Sequence, residues 1–213
     1  MGENKMMTRY PVIEVFDSIQ GEGSMMGMSV SFVRFLGCNL ACPWCDTKES
    51  WDTPGARVTP HVMMTANEIA KKCTRGAVVL TGGEPCLQPL DELIKALHLQ
   101  GKFVSIETNG TQPTPEGIDW VVASPKPAVD YKINEKCVYN ELKYVVDEQF
   151  NVKYIPDIPS NQYHRGSIWL QPCDAGKDNP EKTQDSIKKC LALIKDYPYL
   201  RMGIQLHKVL GLK

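Results

Sequence analysis

Short runs rich in β-branched and aromatic residues recur along the chain, separated by stretches whose apolar residues return every three or four positions. The runs are 30–36 (VSFVRFL), 77–82 (AVVLTG), 103–108 (FVSIET), 119–124 (DWVVAS), 141–147 (ELKYVVD), 167–172 (SIWLQP) and 202–207 (MGIQLH), with an earlier VIEVF suited to an edge strand. Three helices are expected between them. Thr65 and Glu68 stand in capping-box spacing, where each side chain satisfies a free amide at the helix start, so TANEIAKKC should open a helix at Thr65. Pro89 can begin a second and Gly101 end it. A third is expected over 181–197, with Ile187, Leu191 and Ile194 on one face and Pro198 as its stop.

This alternation predicts an α/β fold built from βα units around a parallel sheet or barrel. Some connections are too short for a helix, so the expected barrel is truncated and partly open. The 213 residues need no second core on a soft prior of roughly 150 residues per domain, and 1–213 is expected to be a single domain. The glycine-rich, polar and cysteine residues fall after the runs: a Cys loop, GGEPC, NGT, PKP, QPCDAG and LHK in turn. In parallel barrels the C-terminal ends of the strands converge on one face, so these distant segments can line one cavity.

Charge changes the picture little. The 24 Lys and Arg nearly balance 25 Asp and Glu, which gives no electrostatic reason to expect nucleic acid or an anionic membrane as partner. No segment has the ~20 apolar residues of a membrane span, and the start MGENKMMTRYP lacks the core of a signal peptide. A cytoplasmic protein with a small-molecule partner is expected. In that setting a close cysteine cluster is read as a metal site rather than as a disulfide framework. Of the scattered cysteines, Cys73 and Cys190 lie in helical stretches and are expected to be small buried hydrophobes.

Three of the eight cysteines, Cys38, Cys42 and Cys45, crowd into the segment CNLACPWC. Tetrahedral zinc takes four ligands, and His61, His164 or Cys86 could complete a structural site. The other reading is a 4Fe-4S cluster with three thiolates and one iron open to a ligand that is not protein.

The aromatic-containing CNLACPWC motif, with GGEP at 82–85, resembles the radical S-adenosylmethionine superfamily. There the open iron is chelated by the methionyl group of the cofactor. SIQGEG (18–23), Arg34 with FLGCN, CDT after the last cluster cysteine, TGGEP, ETNG, SPKP (124–127), LKYVV, QPCD (171–174) and the ending QLHK follow in order from about residue 12 to 210. Together they resemble the 7-carboxy-7-deazaguanine synthase family. That resemblance implies a radical-type truncated barrel, usually a homodimer, fed by a flavodoxin- or ferredoxin-type reductant, in the pathway to queuosine. The implied reaction turns 6-carboxy-5,6,7,8-tetrahydropterin into 7-carboxy-7-deazaguanine and ammonia. It uses a 4Fe-4S cluster, S-adenosylmethionine and Mg2+, and no residue need be the primary acid or base.

The same resemblance implies roles by motif. Cys38, Cys42 and Cys45 hold the cluster. Trp44, Cys45 and Asp46 contact S-adenosylmethionine together with Gly83, Glu84 as partner of its amino group, and Glu107 and Asn109 of ETNG. Ser124, Pro125, Lys126, Gln171, Pro172, Cys173 and Asp174 complete that set. Ile19, Gln20, Gly21, Arg34 and Thr81 bind substrate; the Arg34 fork suits a carboxylate, Glu22 the guanidine-like edge of the pterin, and His207 reaches the same pocket. Thr47 is the implied magnesium ligand, near Asp46. Relatives often end in a proline whose carboxylate enters the site, whereas this chain ends in Lys213, and 48–64 shows no regular pattern. A glycyl-radical activating enzyme would share the Cys and GGEP motifs but not SIQGEG, CDT or QLHK. The alternative outside enzymes is a structural zinc or electron-transfer module.

Overall fold

A computed structural model describes residues 7–51, 59–156, 167–176 and 178–212. In chain order its strands and helices are β1 (Arg9–Ile19), β2 (Ser29–Phe35), β3 (Val62–Thr65), α1 (Ala66–Lys72), β4 (Ala77–Gly82), α2 (Asp91–His98), β5 (Phe103–Thr108), β6 (Trp120–Ala123), β7 (Glu141–Val146), β8 (Ser167–Pro172), α3 (Pro180–Asp196), β9 (Leu200–Met202) and α4 (Leu206–Leu210). The strands form one sheet in the order β3-β1-β2-β4-β5-β6-β7-β8-β9. From β2 onward every pair is parallel, while β1 and β3 add an antiparallel margin. β3 and β9 are the two edges, so the curl is an open, truncated barrel.

Alternation along each strand separates two environments, because successive side chains point to opposite faces. On the outer face, Val33, Phe35, Leu80, Val104 and Ile106 pack with Ile69 of α1 and Leu93 and Leu97 of α2. Leu142, Tyr144, Ile168 and Leu170 pack with Cys190 of α3 and Leu200 of β9 in a second cluster. The division falls within β6, whose Val121 joins the first cluster and Ala123 the second. On the inner face, Val30, Val79, Phe32 and Trp120 make a small floor. Above that floor the inner side chains become polar.

Four features differ from the sequence expectation. β1 is longer than VIEVF. β3 was not expected; only four residues pair with β1, too few for a pattern to emerge. In 202–207 the strand ends at Met202 and Leu206 begins a helix, since Gly203 lies against Leu170 and Gln171, where a Cβ would meet the Gln171 side chain at 2.7 Å. In α3, Leu191 faces outward with 55% exposure, and Ser186 and Cys190 are the buried residues. The capping box at Thr65 forms as expected, with Glu68 N donating to Thr65 Oγ1 and Thr65 N to the Glu68 carboxylate. Cys73 and Cys190 are buried free thiols. His164 and Lys213 lie outside the described residues, as does 52–58; the described remainder of the 48–64 stretch holds a short 3-10 turn, Lys48–Ser50, and most of β3.

Candidate active site

The C-terminal ends of the parallel strands and the loops after them enclose a cavity of about 510 Å³. Its walls draw on segments from Glu14 to Lys208, which is how residues more than a hundred positions apart come to share one space. Arg34 and Phe32 reach it from β2, Thr81 from β4, Glu107 from β5, Lys143 and Val145 from β7 and Gln171 from β8. Their neighbours Val33, Leu80, Ile106, Leu142, Tyr144 and Leu170 belong to the two cores.

The cysteine loop follows β2 directly. Gly37 takes φ +102°, a left-handed conformation that suits glycine, and turns the chain off the strand. The loop closes on itself where Cys45 N donates to Cys42 O at 3.0 Å. Backbone amides also reach two of the sulfurs, Leu40 N to Cys38 Sγ at 3.5 Å and Thr47 N to Cys45 Sγ at 3.4 Å. Burial pushes the Cys38 and Cys42 thiols up, while the Leu40 amide pulls Cys38 back; a metal bound there would take the thiolate form. The glycine-rich loop lies against this one. Glu84 N donates to Gly37 O at 2.8 Å, and a Cβ on Gly83 would sit 2.0 Å from Gly37 O and 3.0 Å from the Cys38 Cβ. Asn109 Nδ2 binds Asn39 Oδ1 at 2.9 Å and fixes the ETNG loop to the same segment.

Cys38, Cys42 and Cys45 all line the cavity, while among the described residues no three His, Cys, Asp or Glu side chains form a ready metal cage. Neither His61, which is exposed, nor Cys86, which packs against the first core, lines the cavity with them. The donor set therefore fits a group that takes three thiolates from one loop and its remaining ligand from elsewhere.

Most of the residues expected in the site line the cavity: Ile19, Gln20, Gly21, Glu22, Arg34, Trp44, Asp46, Thr47, Thr81, Gly83, Glu107, Asn109, Ser124, Lys126, Gln171, Pro172, Cys173, Asp174 and His207. Pro125 and Glu84 do not. Glu84 is fully buried, and both carboxylate oxygens are taken up within the chain: one by Cys86 N at 2.9 Å and Thr108 Oγ1 at 2.7 Å, the other by Asn109 N at 2.7 Å. Burial pushes its carboxyl up and these donors pull it back. Its side chain is a brace between two loops, which leaves the neighbouring backbone and Gly83 to face the cavity.

The inner wall carries a charged network. Lys143 Nζ lies 2.5 Å from Glu22 Oε2 and 2.7 Å from Glu107 Oε2. Gln20 Nε2 donates to the other Glu107 oxygen at 3.1 Å, and Gln205 Nε2 to the other Glu22 oxygen at 2.9 Å. Glu107 thus stands with Gln20 and Glu22. Below, buried Glu141 accepts from Trp169 Nε1 at 2.9 Å and Ser24 Oγ at 2.5 Å, which anchors the turn after QGEG to β7. Lys126 lies 5.3 Å over the Trp44 ring and donates to Ser124 Oγ at 2.6 Å; burial lowers its pKa, with Lys143 adding to the effect.

Arg34 is held from two sides. Its Nε meets Glu14 Oε1 at 2.9 Å and its Nη1 donates to Thr47 Oγ1 at 3.2 Å, while the guanidinium rests 5.8 Å over Phe16. At the mouth, Asp46 Oδ2 takes Gln205 Nε2 at 2.8 Å and Lys208 Nζ at 3.2 Å, and Lys208 also reaches Asp174 at 2.8 Å. Gly21 makes room for this tail, since a Cβ there would be 2.2 Å from His207 Nδ1. Lys143, Gln205, Lys208 and Glu14 were missed as site residues. LKYVV and QLHK had marked three of them, but a lysine on a strand carries no sign of which face it takes until register is known.

Residues 32–132 match the Radical SAM superfamily. A 7-carboxy-7-deazaguanine synthase of Bacteroides thetaiotaomicron is 37% identical over 203 residues, 94% of this chain and 97% of that protein. One of Aquifex aeolicus is 36% identical over 210 residues, 94% of this chain and 93% of that protein. The crystal structure of QueE from Escherichia coli superposes with a TM-score of 0.71 at 26% identity, covering 97% of this chain and 99% of that one.

Proposed function

Because the chain belongs to the 7-carboxy-7-deazaguanine synthase family of radical S-adenosylmethionine lyases, we propose that its cavity converts 6-carboxy-5,6,7,8-tetrahydropterin into 7-carboxy-7-deazaguanine and ammonia. The carrying observation is the gathering of three loop cysteines, the Gly83 turn, Arg34 and the Glu22–Lys143–Glu107 network in one cavity. When bound, the cluster and S-adenosylmethionine would supply reversible hydrogen-atom abstraction at the pterin ring, the chemistry that no side chain offers. Cys38, Cys42 and Cys45 hold the cluster.

The chain's own residues bind, orient and exclude water. Trp44 to Asp46, Gly83, Asn109, Ser124, Lys126 and the 171–174 segment face S-adenosylmethionine; Gly83 does so through backbone, where glycine permits close approach. Arg34 offers a planar fork to the substrate carboxylate, prealigned by Glu14 and Thr47. Thr47, which follows the cysteine loop and lines the cavity, would hold magnesium, a cation that commonly uses few protein ligands. Glu22, Gln20 and Glu107 read the pterin ring, with Ile19, Gly21, Thr81 and His207 around it. One sheet carrying every wall supports a single domain. In keeping with its family the protein works as a homodimer, in the cytoplasm, with a flavodoxin- or ferredoxin-type donor; among the described residues no helix is long and apolar enough to cross a membrane.

The test is an anaerobic assay of reconstituted protein with dithionite, S-adenosylmethionine, magnesium and the tetrahydropterin, read by mass spectrometry. The expected result is 7-carboxy-7-deazaguanine with little net use of S-adenosylmethionine, and less product when magnesium is omitted. Accumulation of 5′-deoxyadenosine without that product would leave the radical chemistry standing and remove the substrate.

A further inference from the structure

Lys143 holds the centre of the inner network, yet no role in the proposed reaction falls to it. Its ammonium contacts Glu22 and Glu107 at 2.5 and 2.7 Å, and the three side chains are only 12%, 14% and 17% exposed. Gln205 and Gln20 take the remaining carboxylate oxygens from the far sides. We infer that Lys143 is a positioning residue that sets substrate selectivity, holding Glu22 and Glu107 as a matched pair of hydrogen-bond acceptors for the amino-pyrimidinone edge of a pterin. This rests on the pterin reading of the cavity.

The physical case turns on what two buried carboxylates do without a cation between them. Like charges at close range in a poorly solvated site cannot both persist, and one carboxyl takes up a proton. A protonated carboxyl donates through its O–H as well as accepting, whereas a carboxylate only accepts. The protonated pair would therefore tolerate a ring oxygen where the pterin carries its 2-amino group. With Lys143 between them, both groups remain acceptors, so an amino group is satisfied and an oxo group meets lone pairs with no proton to share. Burial pushes Glu22 up but Lys143 brings it below the usual carboxylate range, while burial leaves Glu107 raised against the same pull. Glu141 nearby adds to the negative charge felt by Glu107, and Lys126 faces the same space.

A merely structural ion pair would weaken all ligands alike, so the test compares two. Reconstituted wild-type protein and the Lys143→Met, Lys143→Gln and Lys143→Arg variants are titrated anaerobically with 6-carboxypterin and with 6-carboxylumazine, which has oxygen in place of the 2-amino group. Pterin fluorescence gives both dissociation constants. The wild type should prefer the carboxypterin by at least about tenfold, since a site that hydrogen-bonds a substrate N–H rejects the analogue lacking it. Lys143→Met and Lys143→Gln should bring that ratio close to one and raise KM for the tetrahydropterin more than they lower kcat, with iron content and S-adenosylmethionine affinity unchanged. Lys143→Arg should keep most of the preference.

Equal weakening of both ligands in the neutral variants, or a wild-type ratio in either of them, would overturn the role of Lys143. If one neutral variant fails to load iron, the ratio in the other decides. A wild type that binds neither ligand overturns the pterin reading underneath, and so marks a different failure.

Discussion

Gly83 and Cys42 make the sharpest residue-scale predictions because each sits where a single atom decides the outcome. A methyl group on Gly83 would overlap Gly37 O, a backbone atom that can move only by carrying the cysteine loop with it. Gly83→Ala should therefore lower both iron loading after reconstitution and affinity for S-adenosylmethionine, measured as iron per chain and by equilibrium binding, with far-UV circular dichroism unchanged. Cys42→Ala removes one of the three thiols, and iron and activity should disappear together; a variant that keeps a full complement of iron would remove the cysteine from the cluster. The cysteines and glycines of the site were legible in the sequence because their spacing is itself the signal. Lys143 and Glu14 were not, because a strand residue declares its face only through register, and register is set by pairing with other strands, Lys143 opposite Trp169 and Glu14 opposite Arg34.

At the scale of elements, two local devices should be measurable. The capping box satisfies free amides at the start of α1, and Thr65→Ala should cost about 1 kcal/mol. For a chain of this size that corresponds to a melting temperature lower by roughly 2–4 °C. Asp17, on β1, accepts from Ser31 Oγ at 2.6 Å, from Thr74 Oγ1 and from Arg75, clamping β1 and β2 to the turn before β4. The Ser31 bond, with Thr74 and then Arg75, holds its pKa below the ordinary value near 3.8. A carboxylate with a depressed folded pKa gives its full stabilisation above its unfolded pKa and loses it as pH falls through the folded one. Asp17→Asn should thus be less stable than wild type at neutral pH, with the gap closing below about pH 4, the unfolded value for aspartate, in acid unfolding curves. The parallel strands and all three longer helices were readable from period and caps. β3 and α4 were not, since four or five residues are too short for a period to register, and both are held by pairing and by contacts with remote loops rather than by local preference.

The whole molecule joins a local fold to a remote site. From β4 to β9 each strand lies beside its predecessor in the chain, so the parallel part of the sheet can assemble by pairing each new strand with the last. The cavity has the opposite character: Glu22 meets Lys143 across 121 positions and Gln205 across 183. Leu200 is 3% exposed and ties the three-residue edge strand β9 to the second core. Leu200→Ala, a truncation that costs roughly 2–5 kcal/mol at a buried site, should loosen β9 and the tail behind it. Binding of 6-carboxypterin should weaken at temperatures where the circular dichroism of the variant still reads native. The open curl therefore sets a thermometer at its margin: warming should fray the short last strand first, with activity lost while most of the backbone remains folded.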